Sequence, residues 1–130
     1  LCILGDFNIA LESKDIHNPA KLDGGIMASQ AERDALDTVL GGRLQDVFRL
    51  FEQETNHWSW WDYRSGAWNR DRGWRIDHIY LSKDLIESAN SCQIHKRVRG
   101  NEQPSDHAPV VVDIDWPPQE EDENDDPFIY

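Results

Sequence analysis

The sequence predicts a single α/β domain, with a mixed and mostly antiparallel sheet flanked by helices. Short runs of apolar and β-branched residues bounded by Gly or Pro, at positions 1–4, 74–81 and 109–115, predict strands. A capping-box pattern that opens at Ser29 precedes one helical stripe of apolar residues. The 130 residues suffice for one domain with a modest core. We place this domain at residues 1–116.

The first apolar run, residues 1–4, is expected to be a buried strand that Gly5 ends. Asp6 and Asn8 follow, and residues two apart in an extended chain point to the same side, so both are expected to project together. Strand ends often carry active-site residues in α/β sheets. An ordinary Asp/Asn turn explains the same residues equally simply. Because the chain opens inside an apolar run, we expect it to be a fragment of a longer one.

The next segment, residues 9–27, lacks periodicity and predicts a long loop. Asp15, His17 and Asp23 are possible ligands there, although solvated loop positions explain them as well. The packing helix after Ser29 is expected to end at the glycine pair that begins at position 41.

The remaining elements follow from shorter patterns. We expect a helical turn at 44–51, strands at 57–61 and 74–81, a helix start at 82–85, an edge strand at 93–98 and a last strand at 109–115.

Residues 58–81 hold five of the six tryptophans together with four arginines. Interleaved aromatic rings and guanidinium groups are typical of nucleic-acid surfaces. The net charge of −12 argues against such a partner, but much of the acidity lies in residues 117–130, which contain no Lys or Arg. We expect that tail to be disordered and solubilising, or to compete with DNA for the basic surface.

Two cysteines, Cys2 and Cys92, lie far apart without any ligand spacing. They predict reduced thiols in a cytoplasmic protein. No apolar run is long enough for a signal peptide or a membrane span.

Polar residues from three separate motifs could form a phosphoester-cleaving site: Asp6 with Asn8, Asp77, and Asp106 with His107. A carboxylate beside a histidine fixes its tautomer and favours the cation that a phosphate needs. Mg²⁺ prefers a few carboxylates with water and phosphate, and no His/Cys cluster supports zinc. Taken singly, His107 could be bonded to backbone and Asp77 could be a structural carboxylate.

Four motifs in this chain are Gly5-Asp6-Phe7-Asn8, Ser59-Trp60-Trp61-Asp62-Tyr63-Arg64, Gly73-Trp74-Arg75-Ile76-Asp77 and Pro104-Ser105-Asp106-His107-Ala108-Pro109. Together they resemble the exonuclease III family of AP endonucleases, within the endonuclease/exonuclease/phosphatase superfamily. The resemblance covers residues 1 to about 115 and only the C-terminal half of a family member. It implies half of a four-layer α/β sandwich of the deoxyribonuclease-I-like type.

The resemblance also implies catalytic roles. Asp6 would activate the attacking water, Asn8 would hold it, and Asp77 would hydrogen-bond a cationic His107 at the scissile phosphate. Asp6, Asn8, Asp106 and His107 would lie at a Mg²⁺ site, which Mn²⁺ could also fill. The family's metal-binding Asn and Glu and its phosphate-contacting Tyr have no counterpart here. This chain alone is therefore expected to bind Mg²⁺ poorly and to cleave slowly.

For the substrate, the resemblance implies double-stranded DNA with abasic sites or 3′ ends, cut 5′ to the abasic site by a monomer that also cleans 3′ ends. Trp60, Trp74 and Ile76 would line a pocket for a flipped-out abasic sugar, unless they are ordinary core. Arg64 would face a DNA groove. Two alternatives stay open: a phosphodiesterase for lipid or inositol phosphates, and a non-catalytic nucleic-acid-binding module.

Overall fold

The computed structural model describes residues 1–117, in which two small antiparallel sheets share a core. The first sheet has the strand order β1-β3-β2, and the second pairs β4 with β5. The strands are β1 (Cys2–Asp6), β2 (Leu44–Asp46), β3 (Asp77–Ser82), β4 (Ala89–Ile94) and β5 (Val110–Ile114). The helices are α1 (Pro19–Leu22), α2 (Gln30–Leu40), α3 (Phe48–Phe51) and α4 (Lys83–Ile86), with 3₁₀ turns at Ser13–Asp15 and Lys96–Gly100. The mixed, antiparallel α/β fold is as predicted, and the acidic tail beyond Pro117 lies outside the described residues.

Helix α2 forms where the capping box predicted it. The Glu32 backbone N–H donates to Ser29 Oγ at 3.2 Å, and Glu32 Oε1 accepts from the Ser29 backbone N–H at 3.3 Å. Gly41 ends the helix with φ 62°, a left-handed conformation that glycine adopts without strain. These local bonds satisfy backbone groups that the helix ends leave unpaired, so the sequence signal was sufficient here.

The first strand is present, but it is not buried as predicted. Leu1 and Leu4 are 68% and 63% exposed, and β1 is an edge strand that pairs only with β3 in the described chain. Its register nevertheless positions the site, since Asp6 lies directly opposite Asp77 at the end of the β1–β3 ladder. Short apolar runs predict strands but not whether a strand is central or at an edge.

Several other boundaries differ from the predictions. The expected turn at 44–51 is β2 followed by α3, and the long loop at 9–27 contains α1 and one 3₁₀ turn. Residues 57–61 form no strand, and Trp60 makes isolated bridges to Trp74 and His107 instead. The strand β3 begins only at Asp77. The expected edge strand at 93–98 is also wrong, because β4 ends at Ile94 and a 3₁₀ turn starts at Lys96.

A buried ion-pair network connects the loop at 9–27 to the start of β3. Arg75 is 1% exposed, and its Nε donates to Asp15 Oδ1 at 2.7 Å while its Nη2 donates to Asp46 Oδ2 at 2.5 Å. Arg49 donates to the same Asp15 carboxylate at 2.5 Å. Burial alone would raise the Asp15 pKa, but Arg75 and Arg49 outweigh it and hold that pKa below its usual value.

This network corrects two sequence interpretations. Arg75 was counted among the arginines of a nucleic-acid surface, yet its guanidinium lies in the core. Asp15 was a candidate ligand in a solvated loop, yet it is fully buried between two arginines. Asp23 of the same loop is paired with Arg33 at 2.8 Å.

The tryptophan-rich stretch contributes Trp58 and Trp61 to the core. Both are buried in one cluster with Ala67 and Ala108, and Trp68 packs against it. Gly73 is required at this place, because a Cβ there would lie 2.4 Å from the Trp58 Cβ. This close approach brings the segment before β3 against the segment at 58–61.

Stability should fall in mildly acidic solution because of His78. Burial first, and then the Arg75 charge, lower the His78 pKa to about 4, from an ordinary value of 6.5. The folded state therefore favours the neutral ring, and this contribution is complete above pH 6.5 and is lost as the pH falls towards 4. The expected loss is up to about 3 kcal/mol of unfolding free energy, measurable by urea unfolding between pH 7 and pH 4. His78→Gln should show a shallower decline, and equal slopes in the two proteins would contradict this account.

Cys2 and Cys92 are both free thiols, as predicted. Burial raises the Cys92 pKa to about 11. Across residues 1–117, none of the helices has the length and apolar character needed to span a bilayer.

Candidate active site

His107 lies at the centre of three carboxylates. Its Nδ1 is 2.8 Å from Asp77 Oδ2, and its Nε2 is 3.6 Å from Asp6 Oδ2 and 3.8 Å from Asp106 Oδ1. The Asp77 carboxylate accepts the Nδ1 proton, which leaves Nε2 directed at Asp6 and Asp106. Both ring nitrogens therefore face carboxylates, and the predicted contact between Asp77 and His107 is confirmed.

Three segments bring these groups together. The β1–β3 ladder places Asp6 opposite Asp77. His107 forms an isolated antiparallel bridge with Trp60 just before β5 begins. Its own backbone N–H donates to Ser105 Oγ at 3.1 Å, which closes the turn that presents the ring. The site therefore depends on contacts between residues that are distant in sequence.

The environment of Asp77 favours a raised pKa. Burial is the largest cause, and the nearby negative charge of Asp6 adds to it. Hydrogen bonds from Ser59 and His107 act in the opposite direction but do not cancel the effect of burial. Asp77 is thus a partly buried partner for the imidazole, whereas Asp6 is exposed and open to solvent.

Asn8 does not follow the predicted geometry. The chain leaves the extended conformation after Asp6, and Asn8 has φ 53°. Its backbone N–H donates to Asp6 Oδ1 at 2.9 Å, and this hydrogen bond closes a local turn between the two residues. Asn is one of the residues that tolerate this left-handed conformation. The argument from strand alternation is wrong for this pair, and Asn8 holds the Asp6 carboxylate through its backbone.

The acidic cluster fits a hard divalent cation in part. Asp6, Asp77 and His107 each bring one possible ligand atom to within 4.8 Å of the others. Asp77 is already bonded to His107, so the free oxygen ligands in this region belong to Asp6 and to Asp106 Oδ1. Mg²⁺ binds through one or two carboxylates with water and phosphate, which matches this donor set. Of the predicted acidic and histidine ligands, this cluster contains Asp6 and His107, while Asp106 lies next to it with Oδ1 3.8 Å from His107 Nε2.

An aromatic cleft of about 440 Å³ lies beside this cluster. Trp60 and Trp74 form its walls, as predicted, and the Trp60 Nε1–H donates to Asp106 Oδ2 at 3.0 Å. Ile76 was expected to line it, but that side chain is 1% exposed and packs in the core cluster beneath Trp74. The other lining residues are His17, Leu22, Met27, Asp62, Arg64, Ser65, Ala67 and Arg72.

The mouth of the cleft carries positive charge. Arg64 is 86% exposed at its side chain and is paired with Asp62 at 2.8 Å. Burial and the charge of Arg72 lower the pKa of His17, which also lines the cleft. The lowered pKa favours a neutral ring at this position, and the sequence alone could not distinguish His17 from a solvated loop residue.

Sequence reasoning missed Ser59, which is completely buried between the two site segments. Its Oγ accepts the backbone N–H groups of Ile76 and Asp77 at 3.0 and 3.1 Å. The sequence signal that could have identified it is a single small hydroxyl residue among the three tryptophans of residues 58–61.

The chain resembles known nucleases in sequence and in structure. The sequence model described as the Endonuclease/Exonuclease/phosphatase family matches residues 1–107. The exodeoxyribonuclease of Bacillus subtilis is 35% identical over 113 residues, which cover 86% of this chain and 43% of that protein. The chain thus spans less than half the length of this curated relative.

Solved structures give the same picture. A 3′ phosphatase from Neisseria bound to a product DNA hairpin superposes with a TM-score of 0.85 and 36% identity, over 89% of this chain and 45% of that one. An AP endonuclease from Archaeoglobus fulgidus superposes with a TM-score of 0.81 and 34% identity, over 88% of this chain and 45% of that one. The fold is therefore the deoxyribonuclease-I-like α/β type, as the motifs implied.

Proposed function

Because the chain belongs to the endonuclease/exonuclease/phosphatase family, we propose that the intact protein is a DNA-repair phosphodiesterase that acts as a monomer. The intact protein means the natural polypeptide in which these 130 residues occur. It hydrolyses duplex DNA 5′ to abasic sites and removes nucleotides or blocking groups from 3′ ends. The observation that carries the proposal is the arrangement of Asp6, Asp77 and His107 beside an aromatic cleft with arginines at its mouth.

The chemistry assigned to this arrangement is in-line attack of water on phosphorus, which breaks the bond from phosphorus to the 3′ oxygen. That oxygen takes a proton from solvent and leaves as a 3′-hydroxyl, and the phosphate stays on the abasic sugar. Asp6 is exposed and 3.6 Å from His107 Nε2, so its carboxylate orients the water and accepts its proton. His107, held by Asp77, presents Nε2–H to the scissile phosphate and stabilises the charge that develops on its oxygens. Asn8 supports the reaction by holding Asp6 through its backbone N–H.

A divalent cation, Mg²⁺ or Mn²⁺, would be held by Asp6 and Asp106 and would supply Lewis-acid neutralisation of the phosphate charge. Asp106 is prepared for this role because Trp60 binds its other carboxylate oxygen at 3.0 Å. Orientation by such a second bond is typical of metal-binding carboxylates.

The cleft provides the proposed selectivity. Trp60 and Trp74 present apolar walls next to Asp106, which suits a flipped-out sugar that has lost its base. Arg64 and Arg72 lie where they could meet the flanking phosphates. The relative from Neisseria was solved with a DNA hairpin, which supports DNA as the substrate class.

A phosphodiesterase for lipid or inositol phosphates would share Asp6 and His107 but would leave the tryptophan cleft without a role. A non-catalytic DNA-binding module would leave the bonded pair of Asp77 and His107 without one. We therefore favour the nuclease.

A substrate panel separates these functions. The intact protein, given Mg²⁺, is expected to cleave an abasic-site duplex at least tenfold faster than an undamaged duplex without accessible 3′ ends. It should release no phosphate from inositol phosphates. Hydrolysis of inositol phosphates in preference to DNA, or DNA binding without any cleavage, would contradict the proposal.

A further inference from the structure

We infer that Ser59 is a positioning residue that fixes Asp77 and His107 relative to each other. The contacts of Ser59 do not depend on what the protein does, whereas the catalytic role of Asp77 and His107 rests on the proposed function. Ser59 is 0% exposed and lies between two tryptophans, in a segment that forms no regular strand.

The side chain of Ser59 holds the beginning of β3. Its Oγ accepts two consecutive backbone N–H groups, those of Ile76 and Asp77, at 3.0 and 3.1 Å. The Ser59 hydroxyl itself donates to the Trp74 carbonyl oxygen at 3.5 Å. One hydroxyl group therefore contacts the backbone on both sides of Arg75.

The backbone of the same residue holds the segment that carries His107. The Ser59 carbonyl accepts the Ala108 N–H at 2.8 Å, directly after His107. The Ser59 N–H donates to the Trp74 carbonyl at 2.9 Å. Ser59 thus joins the two segments whose side chains must meet at 2.8 Å between His107 Nδ1 and Asp77 Oδ2.

A small hydroxyl side chain is specifically suited to this position. Alanine would leave two buried N–H groups without an acceptor, and the start of β3 would have to move to find another. Because Asp77 is the first residue of β3, such a movement displaces its carboxylate from His107. A residue with only a packing role would change stability but not this bond.

The test uses the His107 Nδ1 proton as a reporter, observed by NMR in the 130-residue chain labelled with ¹⁵N-histidine. In the unmodified protein the bond to Asp77 should protect this proton from solvent. Ser59→Ala is expected to speed its exchange at least tenfold, whereas Ser59→Thr, which keeps the hydroxyl, should retain slow exchange. Val47→Ala is the matched control, since Val47 is fully buried in a different core cluster and should leave the exchange unchanged.

Two results would overturn the inference. One is an unchanged exchange rate in folded Ser59→Ala, and the other is an equal acceleration in Val47→Ala. Should Ser59→Ala fail to fold, Ser59→Cys replaces it, and its weaker acceptor should still accelerate exchange. DNA cleavage is not part of the readout, so a protein that shows the predicted exchange but cuts no DNA would refute the proposed function alone.

Discussion

Replacing His107 with alanine should lower turnover of an abasic-site duplex by the intact protein at least about 10²-fold, the usual contribution of one such catalytic group. In the proposed function the imidazole meets the oxygens of the scissile phosphate, and Asp6, Asp77 and Asp106 all lie within 4 Å of it. Its loss removes the group that stabilises phosphoryl charge. The carboxylates of Asp6, Asp77 and Asp106 then remain close together without the imidazole between them. Asp6→Asn should have an effect of similar size, since the amide cannot take the water's proton.

His95→Ala is the matched control for His107→Ala. His95 is exposed and lines a different cleft, so its variant should retain turnover within a factor of two. Single-turnover kinetics at saturating DNA, with circular dichroism to check the fold, measure the effect. Near-normal turnover in folded His107→Ala would exclude it from the chemistry.

Arg75→Met should lower the free energy of unfolding by about 3–5 kcal/mol, the usual cost of removing one partner from a buried ion pair. The arginine is buried and bonds both Asp15 and Asp46, so its removal leaves two carboxylates with too little compensation. The whole stability of a domain is only about 5–15 kcal/mol, so the variant should be close to unfolding. Urea denaturation followed by tryptophan fluorescence measures this loss.

Arg97→Met provides the comparison, because Arg97 is exposed in the second 3₁₀ turn. Its effect should stay within about 0.5 kcal/mol, as is usual for surface positions. If Arg75→Met cost no more than the control, the network would not be a main source of stability.

The sequence identified the parts of the fold and the site that depend on local signals. The capping box at Ser29 predicted α2 because its bonds join residues three apart. Asp6, Asp77 and His107 were found because each lies in a short motif of polar residues next to an apolar strand. The register that places Asp6 opposite Asp77 follows from pairing over a long separation, and no local pattern contained it.

Burial was the property that sequence reasoning predicted least well. Arg75 has the same side chain as the exposed Arg64, and only the carboxylates of Asp15 and Asp46 make its burial possible. Those partners lie 60 and 29 residues away, so the composition of residues 58–81 assigned Arg75 to the wrong surface. Ile76 was likewise expected in the cleft but lies beneath it.

The central claim is that the site built on Asp6, Asp77 and His107 cuts DNA beside a missing base. The most direct measurement is end analysis of a duplex with one abasic site, incubated with the intact protein and Mg²⁺ or Mn²⁺. We predict a single break immediately 5′ to the abasic site, with a 3′-hydroxyl on one fragment and the abasic sugar phosphate on the other, and the same break at least about 10²-fold more slowly in His107→Ala. An intact duplex after prolonged incubation, or the same break with equal rate in His107→Ala, would contradict it.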